Sequence, residues 1–269
     1  MTKISVIIPL YNSAQFLPAL FENIAQQTAA ADLEFVFIDD HGSDDSLSVA
    51  QSLASTSGLN CVFGATESNS GPGTARNEGI RIAGGDYVAF LDSDDALDPY
   101  FCSMLYDAAL EHDADLAYCH ILAEKGSDRE VWRNPVVNPG EFTRAERLYF
   151  LRFYKSFFTS FIYKRDFLLQ EGISFPATRS AEDSCFLAQA LLCAQSIAFV
   201  DQALYHYKLR DDSVSRRRNP QRYKQRLASF DALLDFAKKK GLYKPYMRTI
   251  NYICFKKGTL GALRDRLRF

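Results

Sequence analysis

The sequence lacks several things that would have decided its class at once. No apolar run approaches the roughly 18 residues of a membrane-crossing helix. The longest candidate, Phe186 to Val200, is interrupted by Gln189, Gln195 and Ser196. The opening MTKISVIIPLYN carries only a short apolar stretch before Pro9 and Asn12, so it reads as a first strand, not a secretion signal, and the cytoplasm is the expected location. Six cysteines stand at 61, 102, 119, 185, 193 and 254 without a C-x-x-C pair, and they read as reduced core residues ahead of any redox or zinc role. Internal repeats and low-complexity segments are absent. What remains is a 269-residue chain, 47% hydrophobic and 24% charged, enough for one large domain or one domain with an appendage. Its net charge is only −2 but unevenly spread: residues 1–205 hold 13 Lys+Arg against 28 Asp+Glu, and residues 206–269 hold 18 against 5. A basic tail facing something anionic and a basic helical face docked on the acidic body both fit that asymmetry.

Short β-branched runs alternate with helical patterns over the first 120 residues. Strands are expected at Ser5–Leu10, Glu34–Asp39, Asn60–Gly64, Tyr87–Asp92 and Asp115–Ile121, with helices over 15–27, 46–54, 73–83 and 99–111 between them. Continuous apolar strands interleaved with helices predict a parallel sheet covered on both faces. After Ile121 the rhythm breaks. Residues 126–140 read as loop or short antiparallel strands, Thr143 and Glu146 as a capping box for a helix to Arg152, and 181–193 as a helix. Residues 198–209 read as a strand pair or a strand and turn. From Pro220 the pattern is helical, with a break marked by Gly241 and Pro245.

Ligands of open parallel sheets sit outside the carboxyl ends of the strands. Here those ends carry Pro9-Leu10-Tyr11-Asn12, Asp39-Asp40-His41-Gly42-Ser43-Asp44-Asp45 and Asp92-Ser93-Asp94-Asp95. Two carboxylates ~4 Å apart repel by ~1 kcal/mol in water and ~4 kcal/mol in a partly screened site. The last cluster therefore needs open solvent or a cation, while Asp98, before Pro99, reads as a helix cap. Between the third and fourth strands, Gly71-Pro72-Gly73 departs from a dinucleotide loop because Arg76 replaces the third glycine. The alternative is a tight turn opening a helix that presents Arg76.

VIIPLYN, IDDHGSDDS, NSGPGTARNEG and YVAFLDSDD, in this order, resemble the glycosyltransferase family 2 domain of GT-A fold. FIYKRDFLLQEGISFPATRSAEDSCF and LYHYKLRDDSVS resemble the acceptor half of bacterial members that build surface polysaccharides, so the resemblance runs from Lys3 to Ser215. It implies an α/β GT-A domain over 1–215, Rossmann-like with a mostly parallel central sheet and helices on both faces, with a nucleotide-sugar half at 1–121 and an acceptor half at 122–215, followed by a basic helical extension at 216–269. The implied activity is an inverting, metal-dependent transfer from a nucleotide-sugar, most often a UDP-sugar, to a glycan or lipid-linked acceptor in lipopolysaccharide or capsule synthesis. Carried over by position, Tyr11 lies against the uracil, Asp39 accepts from the base and Pro9 shapes the turn. Arg76 approaches the nucleotide, and Asp92 contacts the ribose or water. Asp94 ligates Mn²⁺ or Mg²⁺ through the diphosphate, with Asp95 assisting. Hard carboxylate donors agree with those ions.

The same resemblance makes Asp183 the base, with Glu182 as its weaker rival. A histidine ligand found in many relatives is replaced by Arg210. That leaves His206 as metal ligand or packing residue, and Lys208 or Arg210 as diphosphate contacts. Ser215-Arg216-Arg217-Arg218 and the helices beyond suit peripheral contact with an anionic membrane, on the inner face of the cytoplasmic membrane. No nucleic-acid motif accompanies them. The competing readings are a sugar nucleotidyltransferase, which would carry a glycine-rich basic loop where PLYNSAQF stands, a nucleotide-dependent dehydrogenase, which would carry a first-turn glycine fingerprint, and a non-catalytic sugar-nucleotide-binding protein.

Overall fold

The computed structural model describes residues 2–209 and 221–267. Arg210 and the Ser215–Arg218 run lie outside the described residues. The amino-terminal half follows the expected alternation: β1 (Ile4–Leu10), α1 (Leu17–Ile24), β2 (Leu33–Asp39), α2 (Ser46–Ser57), β3 (Cys61–Ala65), α3 (Pro72–Ile82), β4 (Tyr87–Phe90), the two-residue β5 (Ala96–Leu97) and α4 (Phe101–Glu111). Then come β6 (Leu116–Lys125), β7 (Asp128–Trp132), β8 (Gly140–Glu141), α5 (Arg144–Phe153), β9 (Phe161–Lys164), α6 (Arg165–Glu171), α7 (Glu182–Cys193) and β10 (Ser196–Lys208). The chain closes with α8 (Arg222–Lys239), α9 (Tyr243–Ile253) and α10 (Leu260–Leu267), the last two joined by a π turn at Cys254–Thr259. None of these helices is long and apolar enough to cross a membrane.

The strand order is β3-β2-β1-β4-β9-β6-β10-β5. β1 pairs in parallel with both β2 and β4, so the chain turns back in direction across the sheet between those two neighbours. Such a reversal opens a crevice beyond the strand ends. Strand alternation sends Val6 and Ile8 to a core shared with α1, α2 and α4, and Ile7 to a second core shared with α3, α5 and α7. On the second face α3 lies so close to β1 that a Cβ at Gly79 would stand 2.3 Å from Ile7 Cγ2.

The sheet is mostly parallel, as expected, with β9 entering antiparallel between β4 and β6. Its four residues, FIYK, are mostly buried, and so short an apolar run carries no mark of direction. Residues 196–208 form one long strand, not a pair, bent by register shifts against β6 between Phe199 and Tyr205. The break expected at Gly241 and Pro245 is present: Gly241, in the left-handed region at φ 70°, separates α8 from α9, and Tyr246, next to Pro245, leaves helical geometry at φ −115° and ψ 16°. Thr143 and Glu146 close the capping box of α5 as expected, whereas Asp98 does not cap α4: its Oδ1 accepts from Tyr100 N at 3.0 Å, and Tyr100 takes the cap position without a side-chain bond. At α2, Asp44 accepts from Ser46 N at 3.2 Å, whereas the Asp45 side chain makes no capping bond.

Candidate active site

The loops after β1, β2 and β4 are tied into one rim. Asn12, at φ 51°, accepts from Ser43 N at 2.7 Å, Asp44 Oδ2 accepts from Ala14 N at 2.9 Å, and Ser93 Oγ donates to Ser13 Oγ at 2.9 Å. These bonds leave the Tyr11 ring 46% exposed at the end of β1. Pro9 sits within β1 opposite Ile38 of β2, and Asp39 ends β2 beside Leu10 with its Oδ1 accepting from His41 N at 3.1 Å. Neighbouring Asp40 has a different job. It is 2% exposed and accepts from Thr66 Oγ1, Ser70 N and Gly71 N at 3.0, 2.8 and 2.9 Å, which pins the loop leading into α3.

That loop ends at Gly71, whose φ of 92° suits glycine, and Pro72 occupies the first position of α3. The helix therefore opens as the tight-turn reading requires, but Arg76 points inward. Its side chain is 6% exposed, ion-paired to Asp92 Oδ1 at 2.6 Å, and its guanidinium carbon lies 4.7 Å from the Phe158 ring centroid. Burial would lower its pKa, yet the charges of Asp92, Glu182 and Asp183 outweigh burial and raise it. Arg76 is thus a brace for Asp92, not a residue standing open to a nucleotide.

The carboxylates after β4 divide by depth. Asp92 keeps a side chain 34% exposed beside Arg76, and Asp94 is half-buried. Asp95 is 4% exposed, and its two oxygens accept from Tyr205 Oη at 2.7 Å and Lys208 N at 2.9 Å. Burial, reinforced by Asp92, raises its pKa well above the ordinary range. Asp95 anchors the turn to β10, which fixes the Lys208 backbone beside the acidic turn but does not suit it as a metal ligand. His206 follows Tyr205 in β10, so strand alternation turns its ring to the opposite face from the one that reaches Asp95. Among the described residues, no three His, Cys, Asp or Glu side chains form a ready-made metal cage. Asp92 and Asp94 still offer hard oxygen donors with partial solvent access. Their chemistry would suit a hard divalent cation such as Mg²⁺ or Mn²⁺.

Across from Asp92, α7 begins with two acids. Ala181, at φ 64°, turns the chain so that Glu182 and Asp183 enter the first turn, where the positive end of the helix favours anions. Arg147, bonded to the Leu191, Leu192 and Ala194 carbonyls, holds the other end. Burial and then the Asp183 charge push the Glu182 carboxyl up to about 7. Burial also raises Asp183, opposed by the Ser184 N–H at 2.6 Å and by Lys257, Arg76 and Arg226. The start of α3 is pressed against this pair, since a Cβ at Gly73 would stand 3.2 Å from Glu182 Cγ.

The model of glycosyl transferase family 2 matches residues 5–170. The chain belongs to glycosyl transferase family 2. It is 32% identical over 224 residues, 80% of its length, to the uncharacterized glycosyltransferase YibD of Escherichia coli, and spans 63% of that protein. It is 32% identical over 213 residues, 77% of its length, to the poly(ribitol-phosphate) beta-N-acetylglucosaminyltransferase TarS of Staphylococcus aureus, and spans 35% of it. The chain thus covers less than two thirds of both relatives. The crystal structure of S. aureus TarS 1-349 in complex with UDP-GlcNAc superposes with a TM-score of 0.71 at 26% identity, covering 87% of this chain and 67% of that one. This family 2 member therefore has the GT-A architecture, with its rim at the sheet reversal.

Sequence reasoning passed over Asp40, Tyr205 and Lys257. Asp40 stands in a run of acids that gives no sign of depth, and Lys257 lies in a helical stretch whose π turn has no sequence mark.

Proposed function

We propose that this chain is an inverting, metal-dependent glycosyltransferase. It moves a sugar from a UDP-sugar to a hydroxyl of a glycan or lipid-linked acceptor in bacterial surface polysaccharide synthesis. The observation that carries this reading is the convergence, beyond the ends of β1 and β4, of the Arg76-braced Asp92 and Asp94 turn with the acid pair opening α7. Family membership and the likeness to TarS, solved with UDP-GlcNAc, support the donor class.

In this reading the exposed Tyr11 ring stacks on the uracil, Asp39 accepts from the base, and Lys208 reaches the diphosphate. Asp92 and Asp94 would hold Mn²⁺ or Mg²⁺, which would supply neutralisation of the charge developing on the leaving diphosphate. The acceptor hydroxyl attacks the anomeric carbon from the face opposite the diphosphate. As the new C–O bond forms and the bond to the diphosphate breaks, Asp183 takes the hydroxyl proton. A base with a raised pKa suits that transfer near neutral pH.

A thermal-shift series with UDP-, GDP- and dTDP-sugars and Mn²⁺, run on the wild type and Asp183→Asn, tests both halves. The expected result is stabilisation by a UDP-sugar in both proteins, with transfer lost by about 10²-fold or more in the variant. Preference for a guanosine or thymidine sugar overturns the donor, and unchanged transfer in Asp183→Asn overturns the base.

A further inference from the structure

The carboxyl-terminal helices send one cation toward the acid pair. Where α9 passes into α10 the helix widens into the π turn at Cys254–Thr259, a local form that recurs at functional sites. The turn is tightly seated: a Cβ at Gly258 would stand 3.0 Å from the Phe230 ring. Lys256 stays exposed, but Lys257 turns inward. Its Nζ lies 3.7 Å from the centroid of the Tyr154 ring and donates to Ser156 Oγ at 3.0 Å. Ser156 Oγ is hydrogen-bonded to Ser184 Oγ, and Tyr154 Oη donates to the Ser184 carbonyl at 3.2 Å. Both contacts of the ammonium therefore lead to the residue after Asp183.

Charged and titratable groups from several elements face this ammonium. From α7 come Asp183 and Cys185; from its own turn, Lys256; from α8, Arg226, which is itself paired to Asp265 at 2.7 Å. Arg76 of α3 and Glu182 of α7 bear on the Asp183 side of the pair. Burial lowers Lys257 to about 8 against the pull of Asp183, and Lys257 in turn opposes the rise of Asp183. An ammonium withdrawn from water is costly unless a charge and hydrogen bonds compensate it. A methionine would fill the same space without that cost.

We propose that Lys257 is a positioning residue for the base: clamped by Tyr154 and Ser156, its ammonium stands behind the start of α7 and fixes the Ser184 turn that aims the Asp183 carboxylate. This rests on the reading of Asp183 as base. It makes the carboxyl-terminal helices part of the reaction's machinery and not only a cover for the sheet.

The test is a carbon-13 NMR titration of the full chain labelled at aspartate carboxyls, with the Asp183 signal assigned by its loss in Asp183→Asn. In Lys257→Met, the Asp183 carboxyl is expected to titrate about one pH unit or more higher, with the acid limb of sugar transfer moving alongside it, and Lys257→Arg restores both. The wild type supplies a check that needs no variant: the Asp183 signal shows a second, alkaline inflection as Lys257 loses its proton. An Asp183 titration unmoved in Lys257→Met, or a wild-type trace without that inflection, overturns the proposal. If Lys257→Met fails to fold, the wild-type trace decides. Full transfer by Asp183→Asn would instead remove the base assignment while leaving the measured coupling in place.

Discussion

Glu182 and Asp183 set two carboxyls side by side at one helix end, and burial raises both. Glu182 is the member pushed up to about 7 from an ordinary 4.5. Between those values the folded protein holds a proton that the unfolded chain has released, so folding stability falls as pH rises through that window. Glu182→Gln removes the effect. At pH 8 the variant is expected to exceed the wild type by about 1–2 kcal/mol, a figure discounted for the partial exposure of the side chain, and the gap closes toward pH 4.5. Urea midpoints at pH 5 and pH 8 check this, and a gap that narrows with rising pH would sink it. The same residue scale limits what was legible beforehand. The strand-end acids could be located from sequence, but not their depth. Asp39 and Asp40 are adjacent letters with opposite fates, as are Asp94 and Asp95. Which one is buried depends on whether a loop N–H or a distant tyrosine such as Tyr205 reaches it, and neither contact is local in sequence.

Elements were more legible than side chains because their signal is summed over many residues. β1, β2 and β4 announce themselves as apolar runs buried on both faces, and α3 as a helix opened by Gly71-Pro72. β9 did not, because four residues show neither periodicity nor direction. The placement of α3 also depends on one glycine that no pattern singles out. With a Cβ at Gly79 only 2.3 Å from Ile7 Cγ2, α3 could not keep its distance from β1, and Arg76, three residues earlier, would shift with the helix. Gly79→Ala is expected to destabilise the fold by about 1–3 kcal/mol, as overpacking does, and to weaken donor binding through Asp92. Adding Ile7→Ala opens space for the new methyl. A thermodynamic cycle in the double variant should therefore recover part of the loss. Strict additivity of the two losses would show that Gly79 is not the close-approach point.

At the scale of the whole molecule, the charge imbalance between the body and the last 64 residues is partly resolved by docking. Lys240, at the end of α8, pairs with Glu171 at 2.8 Å, Arg144 of α5 donates to the Pro245 carbonyl at 3.0 Å, and Lys257 reaches Ser156. The contact is apolar as well as ionic. Phe230, Leu233, Ala237, Ile250 and Ile253 belong to the same core as Phe186, Leu187 and Leu191 of α7. A boundary at residue 215 therefore divides the sequence by pattern and charge but runs through one continuous hydrophobic core. We expect a chain ending at residue 215 to lose this packing around α7 and to be poorly soluble or to unfold well below the full chain. Each large buried side chain contributes about 1.5–3 kcal/mol, so removing several exceeds the usual margin of about 5–15 kcal/mol. The full chain should then melt in one calorimetric transition, with calorimetric and van't Hoff enthalpies agreeing. Two separate transitions, or a soluble 1–215 fragment with an unchanged melting temperature and undiminished donor binding, would make the carboxyl-terminal helices an independent unit. In that case they could not be what holds the acid pair in place.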